Sequence, residues 1–368
     1  MGKTIWKGNH AMAEAAIRAG YRFYAGYPIT PASPFLEYMS TAMEAAGGVF
    51  VQCSSEVEAP VMLMGATFAG KHALTSTAGP GFALMGEGMA AMGGGRFPAL
   101  IVYVNRTGAA AGSLPGTQDS YKMITGSLGN GGMRALVFGP GSMQEAVDLI
   151  YDAEPLMLKY RTPVIVLADG MIAQMAEAGI KMPEYRDISG ENMSKYPFVI
   201  DRPNQPGELR EVSDTPRNGP YARDGFDAQA NIEWNYLQNE EMYEEWKRSE
   251  VRFEEYRMED AEYVIAAWGS PARFACDAVD MLRAEGIRAG LFRPITLFPF
   301  PERRLAELDA DRVKAVLAVE MAVPAQFYYD VRAAVRQKIA VKSFHRITGV
   351  IRDDEIAAEL RKLAEEVK

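Results

Sequence analysis

The feature that most constrains this chain is the regular alternation of short apolar segments with segments of helical periodicity. Between Trp6 and about Gln174, segments such as "GGVFVQC", "ALIVYVN" and "PVIVLAD" are separated by helical patterns such as "EVEAPVMLMGATFAG". Strands that recur after each helix pair in parallel, and the helices then cover both faces of the sheet. The sequence therefore predicts an α/β fold with a parallel sheet in its N-terminal half.

The same alternation resumes from Ala261, where "YVIAAWGS" and "VKAVLAVE" are separated by helical patterns. The chain in between is rich in Pro, Gly and charge, and it ends in a charged helical segment, "NEEMYEEWKRSEVRFEEYRMED". This composition is typical of a long loop or linker, followed by a helix with a solvated or a partner-binding face. We predict a first domain over residues 1–190, a linker with a charged helix over 191–258, and a smaller α/β domain over 259–368.

Charge and residue usage limit the partners. The formal net charge is −9 and no basic patch stands out, which argues against nucleic acid as a partner. The chain has no run of about 18 apolar residues and its N-terminus lacks the apolar core of a signal peptide, so we expect no membrane and a cytoplasmic location. Cys53 and Cys276 lie far apart and the three histidines show no ligand spacing, so we expect reduced thiols and no metal site on this chain.

Two glycine-rich loops follow predicted strands and precede predicted helices. The loop "TAGPGFALMGEG" contributes Gly79 and Gly81, but Leu84 occupies the third glycine position of the dinucleotide fingerprint. The loop "FGPGSMQEA" likewise has Gln144 at that position. Neither loop predicts a dinucleotide site, so we interpret them as tight turns or as places where another ligand approaches the backbone closely.

Three predicted strands each end in one polar side chain. These are Thr30 in the proline-rich turn "GYPITPASP", Glu56 in "QCSSEVEAP" and Arg106 in "YVNRTG". Ligands of open α/β sheets bind at the carboxyl ends of the strands, so the three together predict a site. A structural interpretation stays open for each: a stiff helix entry at Thr30, a helix-dipole carboxylate at Glu56 with Ser54 or Ser55 as cap, and a surface arginine at Arg106.

Beyond these positions, the chain resembles a known family over most of its length, except for residues 190–250. "GNHAMAEAAIRAG", "GYPITPAS", "SSEVEA", "TSTAGPGFALMGEG", "VNRTG", "TQDSY" and "SMQEAVDL" are similar, in order and spacing, to the alpha subunits of 2-oxoacid:ferredoxin oxidoreductases. The resemblance is nearest to the branched-chain (3-methyl-2-oxobutanoate) and 2-oxoglutarate members. It implies a parallel-sheet, thiamine-diphosphate pyrimidine-binding domain and a smaller, transketolase-C-like α/β domain.

The resemblance also implies a reaction and a site. The reaction is the oxidative decarboxylation of a 2-oxoacid to acyl-CoA, CO2 and reduced ferredoxin, with thiamine diphosphate as cofactor and coenzyme A as co-substrate. Glu56 matches the glutamate that hydrogen-bonds the aminopyrimidine ring, Thr30 matches the substrate-contacting threonine, and Arg106 matches the arginine that binds the substrate carboxylate. The cofactor contacts implied besides Glu56 are Tyr27, Pro28, Ile29, Gly79 and Gly81.

Some parts of the family's machinery are missing from this chain. The family holds the diphosphate through Mg²⁺ on a "GDG…N" motif, whereas "LADGMIAQM" has Ala168 in place of the first glycine. The cysteines that bind iron–sulfur clusters are absent as well. The resemblance therefore implies Mg²⁺ and [4Fe-4S] clusters on partner subunits: a beta subunit that completes the active site, a gamma subunit, and a ferredoxin-like delta subunit, with ferredoxin as electron acceptor.

Two departures from the family bear on the substrate. "RTGAAAG" stands where close relatives carry "RGGP", and "VPAQ" stands where they often have a Gly-Gln pair. A small apolar loop, with Tyr24 and Tyr27 nearby, favours a branched-chain or aromatic 2-oxoacid over 2-oxoglutarate, whose second carboxylate needs another cation. Three alternatives stay open: an arylglyoxylate oxidoreductase subunit, a different thiamine enzyme such as a transketolase-like half, and a non-catalytic scaffold subunit.

Overall fold

A computed structural model describes residues 4–114, 116–187, 228–347 and 349–367, so most of the predicted linker lies outside the described residues. The first part of the chain alternates strands and helices as follows: β1 Ile5–Lys7, α1 Gly8–Arg18, β2 Phe23–Gly26, α2 Ser33–Ala45, β3 Val49–Gln52, α3 Glu58–Phe68, β4 Ala73–Thr77, α4 Gly79–Leu84, α5 Gly86–Gly94, β5 Ala99–Asn105, α6 Tyr121–Gly126, β6 Leu136–Phe138, α7 Met143–Tyr160, β7 Pro163–Asp169, α8 Gly170–Gln174 and β8 Ala176–Ala178.

The second part begins with a long helix and then alternates in the same way. Its elements are α9 Ala228–Ser249, β9 Phe253–Tyr256, β10 Tyr263–Ala267, α10 Ser270–Ala284, β11 Ala289–Pro294, β12 Thr296–Phe298, α11 Glu302–Ala306, β13 Ala315–Glu320, α12 Phe327–Ala334, β14 Ala340–His345 and α13 Asp353–Glu366. Within the described ranges, no helix is long and apolar enough to cross a membrane.

The larger sheet has seven strands in the order β12-β6-β7-β5-β4-β2-β3. Six of them run in parallel, which confirms the α/β fold predicted from the alternation. The seventh strand, β12, is antiparallel to β6 and comes from the second part of the chain. Strands β5 and β7 are buried along their whole length, because helices cover both faces of a parallel sheet.

The smaller sheet has five strands in the order β14-β13-β10-β11-β9, with only β9 antiparallel. Its helix α12 and the side chains of Trp268 and Phe292 belong to the same apolar core as α3, α4 and α5 of the first part. The C-terminal domain therefore packs on one face of the larger sheet, whereas α1, α2 and α7 cover the other face. The domain limits at residues 190 and 258 stay predictions.

The charged helix α9 lies against the first part of the chain. Trp246 is fully buried and Met242 nearly so, and both belong to the core that α1, α2 and α7 form. Its acidic and basic residues, such as Glu241 and Lys247, lie on the exposed side. One face of the helix is thus anchored by apolar packing and the other is solvated.

The strand order sets where a ligand can bind. From β2 the chain moves outward to β3, whereas from β4 it moves to β5 on the opposite side. Adjacent strands whose connections diverge in this way leave a crevice at their carboxyl ends, which is the usual ligand position in open α/β sheets. In this sheet the crevice lies between the carboxyl ends of β2 and β4.

Candidate active site

The turn after β2 presents Thr30 at this crevice. Tyr27 and Thr30 are exposed, and Pro28 and Pro31 remove two backbone N–H donors, so the turn makes few hydrogen bonds of its own. Side chains from other elements hold it instead. Arg106 Nη1 donates to the Thr30 carbonyl at 2.9 Å, and Asn9 Nδ2 donates to the Pro31 carbonyl at 3.0 Å. The carbonyls of Thr30 and Pro31 are thus held by side chains from two different elements, and these contacts fix the orientation of Thr30.

The turn after β3 separates two carboxylates that are two residues apart. Glu56 is 6% exposed, whereas the carboxylate of Glu58 lies at the surface and accepts hydrogen bonds from the hydroxyl and the N–H of Ser54. Those bonds to Ser54 lower the pKa of Glu58. The backbone N–H of Cys53 donates to the Gly26 carbonyl, so this turn starts beside the turn that carries Thr30. Glu58 thus takes the helix-stabilising position and Glu56 turns inward.

The glycine loop after β4 accommodates the Glu56 side chain. A Cβ placed on Gly81 would lie 2.8 Å from Glu56 Oε1 and 2.9 Å from Glu56 Cγ, so only glycine leaves room for this carboxylate. At Gly79 a Cβ would first meet the Tyr103 hydroxyl, at 3.5 Å. Gly79 and Gly81 open α4 at the crevice, and the loop therefore allows close approach to its backbone rather than binding a dinucleotide.

The loop after β5 begins with Arg106 and folds back on itself. Thr107 and Ser113 exchange two backbone hydrogen bonds, and Arg106 Nη2 donates to the Ala110 carbonyl at 2.8 Å. The backbone N–H of Gly108 donates to Asp119 Oδ2 at 2.7 Å. The structure thus brings Arg106 onto the turn of Thr30, and the catalytic roles of the two residues stay predictions.

Asp169, in the "LADG" segment, joins the start of α8 to the C-terminal domain. Its carboxylate accepts the N–H groups of Met171 and Ile172 at the start of α8, and the N–H and hydroxyl of Ser270 from the C-terminal domain. Burial raises the pKa of Asp169. Three of these donors bind Oδ1 and one binds Oδ2, so the carboxylate is used within the protein to join α8 to the C-terminal domain. Among the described residues, no group of three or more His, Cys, Asp and Glu could hold a metal ion.

Several residues that contact this region were not predicted, and one residue expected nearby lies in the core instead. Asn9 donates to the Pro31 carbonyl, Asp119 accepts from the Gly108 N–H, and Gln118 donates to the Trp268 carbonyl. They lie in "GNHAMAEAAIRAG" and "TQDSY", two segments that carried the family resemblance but were assigned no site residue. Tyr24, suggested as a substrate neighbour, is fully buried, stacks on Phe50 and hydrogen-bonds Ser76. Only Tyr27 of the two tyrosines is exposed at the crevice.

A parallel sheet with a carboxylate at its switch point, joined to a smaller α/β domain, defines an α/β protein that binds its ligand at the carboxyl ends of the strands. Family comparison agrees. Residues 14–258 match the family described as "Pyruvate flavodoxin/ferredoxin oxidoreductase, thiamine diP-bdg", and residues 261–355 match "Pyruvate:ferredoxin oxidoreductase core domain II".

Individual relatives give the same result. The ketoisovalerate oxidoreductase subunit VorB of Methanothermobacter marburgensis is 39% identical over 335 residues, 91% of this chain and 90% of the relative. The 2-oxoglutarate synthase subunit KorA of Methanothermobacter thermautotrophicus is 32% identical over 97% of this chain and 98% of the relative. The chain therefore belongs to the 2-oxoacid:ferredoxin oxidoreductase family and corresponds to its alpha-type subunits.

A solved structure shares the fold. The 2-oxoglutarate:ferredoxin oxidoreductase from Magnetococcus marinus, solved with 2-oxoglutarate, coenzyme A and succinyl-CoA bound, superposes with a TM-score of 0.80 at 23% identity. The match covers 100% of this chain and 66% of that chain. A split-gene transketolase subunit superposes with a TM-score of 0.58 at 15% identity, in line with the transketolase-like architecture that was expected.

Proposed function

We propose that this chain is the alpha subunit of a thiamine-diphosphate-dependent 2-oxoacid:ferredoxin oxidoreductase, which converts a 2-oxoacid and coenzyme A to acyl-CoA and CO2 and reduces ferredoxin. The observation that carries the proposal is the buried carboxylate of Glu56, seated against Gly81 at the switch point of the sheet. A carboxylate at the switch point of an open α/β sheet lies where the ligands of such sheets bind.

In this proposal Glu56 holds a proton between its carboxylate and the ring nitrogen of the cofactor's pyrimidine. When bound, thiamine diphosphate supplies the carbon nucleophile and electron sink that decarboxylation of a 2-oxoacid requires. Gly79 and Gly81 of the β4–α4 loop would leave room for the ring beside Glu56, and Tyr27, Pro28 and Ile29 would contribute further contacts. General acid–base catalysis requires a carboxylate within hydrogen-bond reach of the atom whose proton is transferred.

Arg106 and Thr30 position the substrate in this proposal. The guanidinium of Arg106 binds the carboxylate of the 2-oxoacid, because two parallel N–H donors match a carboxylate in geometry and charge. The Thr30 hydroxyl, exposed on the turn that Arg106 contacts, hydrogen-bonds the substrate beside it. Both groups orient the bond to be broken before the CO2 leaves.

The substrate proposed is a branched-chain 2-oxoacid of the 3-methyl-2-oxobutanoate type. Residues 107–112, "TGAAAG", are small and carry no cation that would pair with a second carboxylate. The relative that is named a ketoisovalerate oxidoreductase subunit is also more similar to this chain than the 2-oxoglutarate synthase subunit, at 39% against 32% identity. An aromatic 2-oxoacid such as an arylglyoxylate is the alternative outcome of a substrate panel.

The proposed complex supplies the parts that this chain does not provide. Asp169 is buried and binds the start of α8 and Ser270, which supports a diphosphate and Mg²⁺ site on a beta subunit that also carries [4Fe-4S] clusters. A gamma subunit and a ferredoxin-like delta subunit complete the proposed assembly, which is cytoplasmic.

An exposed apolar surface beside Glu56 supports the position of the beta subunit. Val57, just before α3, and Val61 of α3 are 53% and 60% exposed, and Leu84 of α4 is 56% exposed. Helix α3, "EAPVMLMGATF", is apolar all round, as is typical of helices that are covered on every side.

The test is the pair of variants Glu56→Gln and Glu58→Gln in the purified complex. Glu56→Gln keeps the shape but removes the charge, so we expect decarboxylation to fall by at least about 10²-fold while the subunits still assemble. Glu58→Gln changes an equivalent carboxylate two residues away, at the surface, and we expect near-normal turnover.

The outcomes separate the alternatives. Near-normal turnover of Glu56→Gln would show that Glu56 is not the activating carboxylate. A non-catalytic scaffold would tolerate the loss of Thr30, Glu56 and Arg106 together. A transketolase-like enzyme would turn over without reducing ferredoxin.

A further inference from the structure

The segment Thr117–Lys122, hereafter the strap, lies between the C-terminal domain and the loop that begins at Arg106. It contains the "TQDSY" sequence, whose residues are largely buried. The strap makes two different kinds of contact. One set of hydrogen bonds fixes the strap to the backbone of the C-terminal domain, and one carboxylate reaches from the strap to the loop.

Gln118 and Thr117 make the first set of contacts. Gln118 exchanges hydrogen bonds with Met321, since its N–H donates to the Met321 carbonyl at 2.7 Å and its Oε1 accepts the Met321 N–H at 2.9 Å. Gln118 Nε2 donates to the Trp268 carbonyl, and Thr117 Oγ1 donates to the Met321 carbonyl, both at 2.7 Å. Both side chains are fully buried, so these bonds are shielded from competition with water.

Gln326 of the C-terminal domain holds the middle of the strap. Its Nε2 donates to the Asp119 carbonyl, and its Oε1 accepts the N–H of Lys122 at 2.8 Å. Gln326 is fixed in turn, because its own N–H donates to the buried carboxylate of Glu320 at 2.7 Å. The backbone of Asp119 therefore has a defined position that the C-terminal domain sets.

The carboxylate of Asp119 faces the other way, toward the loop. Its Oδ2 accepts the N–H of Gly108, two residues after Arg106, at 2.7 Å, and its Oδ1 accepts the Ser120 hydroxyl at 3.3 Å. Gly108 has a φ of +85°, a conformation that the loop adopts where it turns back toward Ser113. A hydrogen bond to an ionised acceptor at this turn fixes the direction in which the loop leaves β5.

We propose that Asp119 is a positioning residue: its carboxylate fixes the loop that presents Arg106, and the C-terminal domain holds Asp119 in place through Gln326 and Gln118. The consequence for substrate binding rests on the proposed function, in which Arg106 binds the 2-oxoacid carboxylate. The fixing of the loop itself does not depend on that role.

The experiment compares variants of the whole complex by steady-state kinetics and by hydrogen–deuterium exchange of residues 106–114. Asp119→Ala removes the acceptor, so we expect faster exchange in this loop and a KM for the 2-oxoacid raised about 10-fold, with kcat changed by less than about 3-fold. Asp119→Asn keeps an oxygen that accepts the Gly108 N–H, and we expect it to restore most of the affinity. Gln326→Ala should change both readouts in the same direction as Asp119→Ala, but less.

Asp330→Ala is the matched control. Asp330 also joins the strap to the C-terminal domain, by accepting from the Tyr121 hydroxyl and from Lys122 Nζ, but it does not contact the loop. We expect normal KM and normal exchange in residues 106–114. A KM raised as much as in Asp119→Ala would overturn the proposal, since general loosening of the domain contact would then explain the effect.

Unchanged exchange and unchanged KM in Asp119→Ala would overturn the proposal as well. Arg106→Ala distinguishes this failure from a failure of the proposed function. If Arg106→Ala leaves the KM unchanged, Arg106 does not bind the substrate, and the exchange of residues 106–114 in Asp119→Ala then decides alone whether Asp119 fixes the loop.

Discussion

Replacing Gly81 by alanine would put a methyl group into the contact that holds the Glu56 side chain. The new Cβ would lie 2.8 Å from Glu56 Oε1 and 2.9 Å from Glu56 Cγ, and it would also overlap Thr77 Oγ1. Thr77 is buried within β4, and both side chains must shift to make room for the methyl group. The substitution therefore moves the carboxylate without changing its chemistry.

The size of the effect follows from these contacts. Bringing the Oε1 contact from 2.8 Å to the 3.4 Å of ordinary van der Waals contact requires a displacement of at least 0.6 Å. Because a misplacement of about 1 Å at a catalytic group costs about 10²-fold in rate, we expect kcat to fall by roughly 10- to 100-fold. Overpacking of this kind also destabilises a domain by about 1–3 kcal/mol, which a thermal melt would register.

The assay is 2-oxoacid-dependent reduction of ferredoxin by the assembled complex, with subunit content checked by gel filtration. Gly126→Ala is the control, because a Cβ on this helical glycine would meet no atom within 4 Å. We expect it to match the wild-type rate. If Gly81→Ala assembles and keeps kcat within about 2-fold of the wild type, the reasoning that Gly81 makes room for the Glu56 carboxylate is wrong.

Three further predictions concern the supports of the site. Asn9→Asp replaces the Nδ2 donor to the Pro31 carbonyl by an acceptor, so we expect a lower kcat for the complex and faster amide exchange in residues 26–36, neither of which occurs if the turn holds itself. Ser270→Ala removes a hydroxyl donor from the buried Asp169, and we expect about 1–3 kcal/mol lower stability in urea denaturation; an unchanged midpoint would contradict this. Burial lowers the pKa of His72 to about 4, so between pH 6.5 and 4 the unfolded chain binds a proton that the folded chain does not. Stability should therefore fall as the pH drops through that window, by up to about 3 kcal/mol, and His72→Gln should flatten this part of the profile.

The strands of the larger sheet were predictable because burial on both faces leaves a direct mark on the sequence. "ALIVYVN" and "PVIVLAD" contain almost no polar residue before their last position, and both strands are fully buried. Strand β12 left no such mark. It has three residues, begins two residues after Pro294 at the end of β11, and owes its position at the edge of the first sheet to pairing with β6, more than 150 residues earlier. Pairing over that distance depends on how the two domains pack, which periodicity does not report.

The candidate site was predictable to the level of strand ends but not to the level of individual contacts. The spacing of Glu56 and Glu58 does not indicate which carboxylate turns inward, since this depends on Ser54 binding Glu58 at the surface. The Asn9 contact joins residues 22 positions apart through a turn whose backbone cannot be inferred from propensities. Tyr24 shows the converse, because its position in the sequence suggested the crevice whereas stacking on Phe50 draws it into the core.

The pairing of β12 with β6 has a consequence for how the protein is made. A chain leaves the ribosome from its N-terminus, so six strands of the larger sheet emerge well before residues 296–298. During that interval Leu136–Phe138 is an open backbone edge of a largely apolar sheet, the kind of edge that recruits other chains. The larger sheet, which carries the active-site turns, is synthesised first but receives its seventh strand, β12, only near the end of translation. A nascent chain stalled in the C-terminal domain would therefore leave the β6 edge unpaired until residues 296–298 are made.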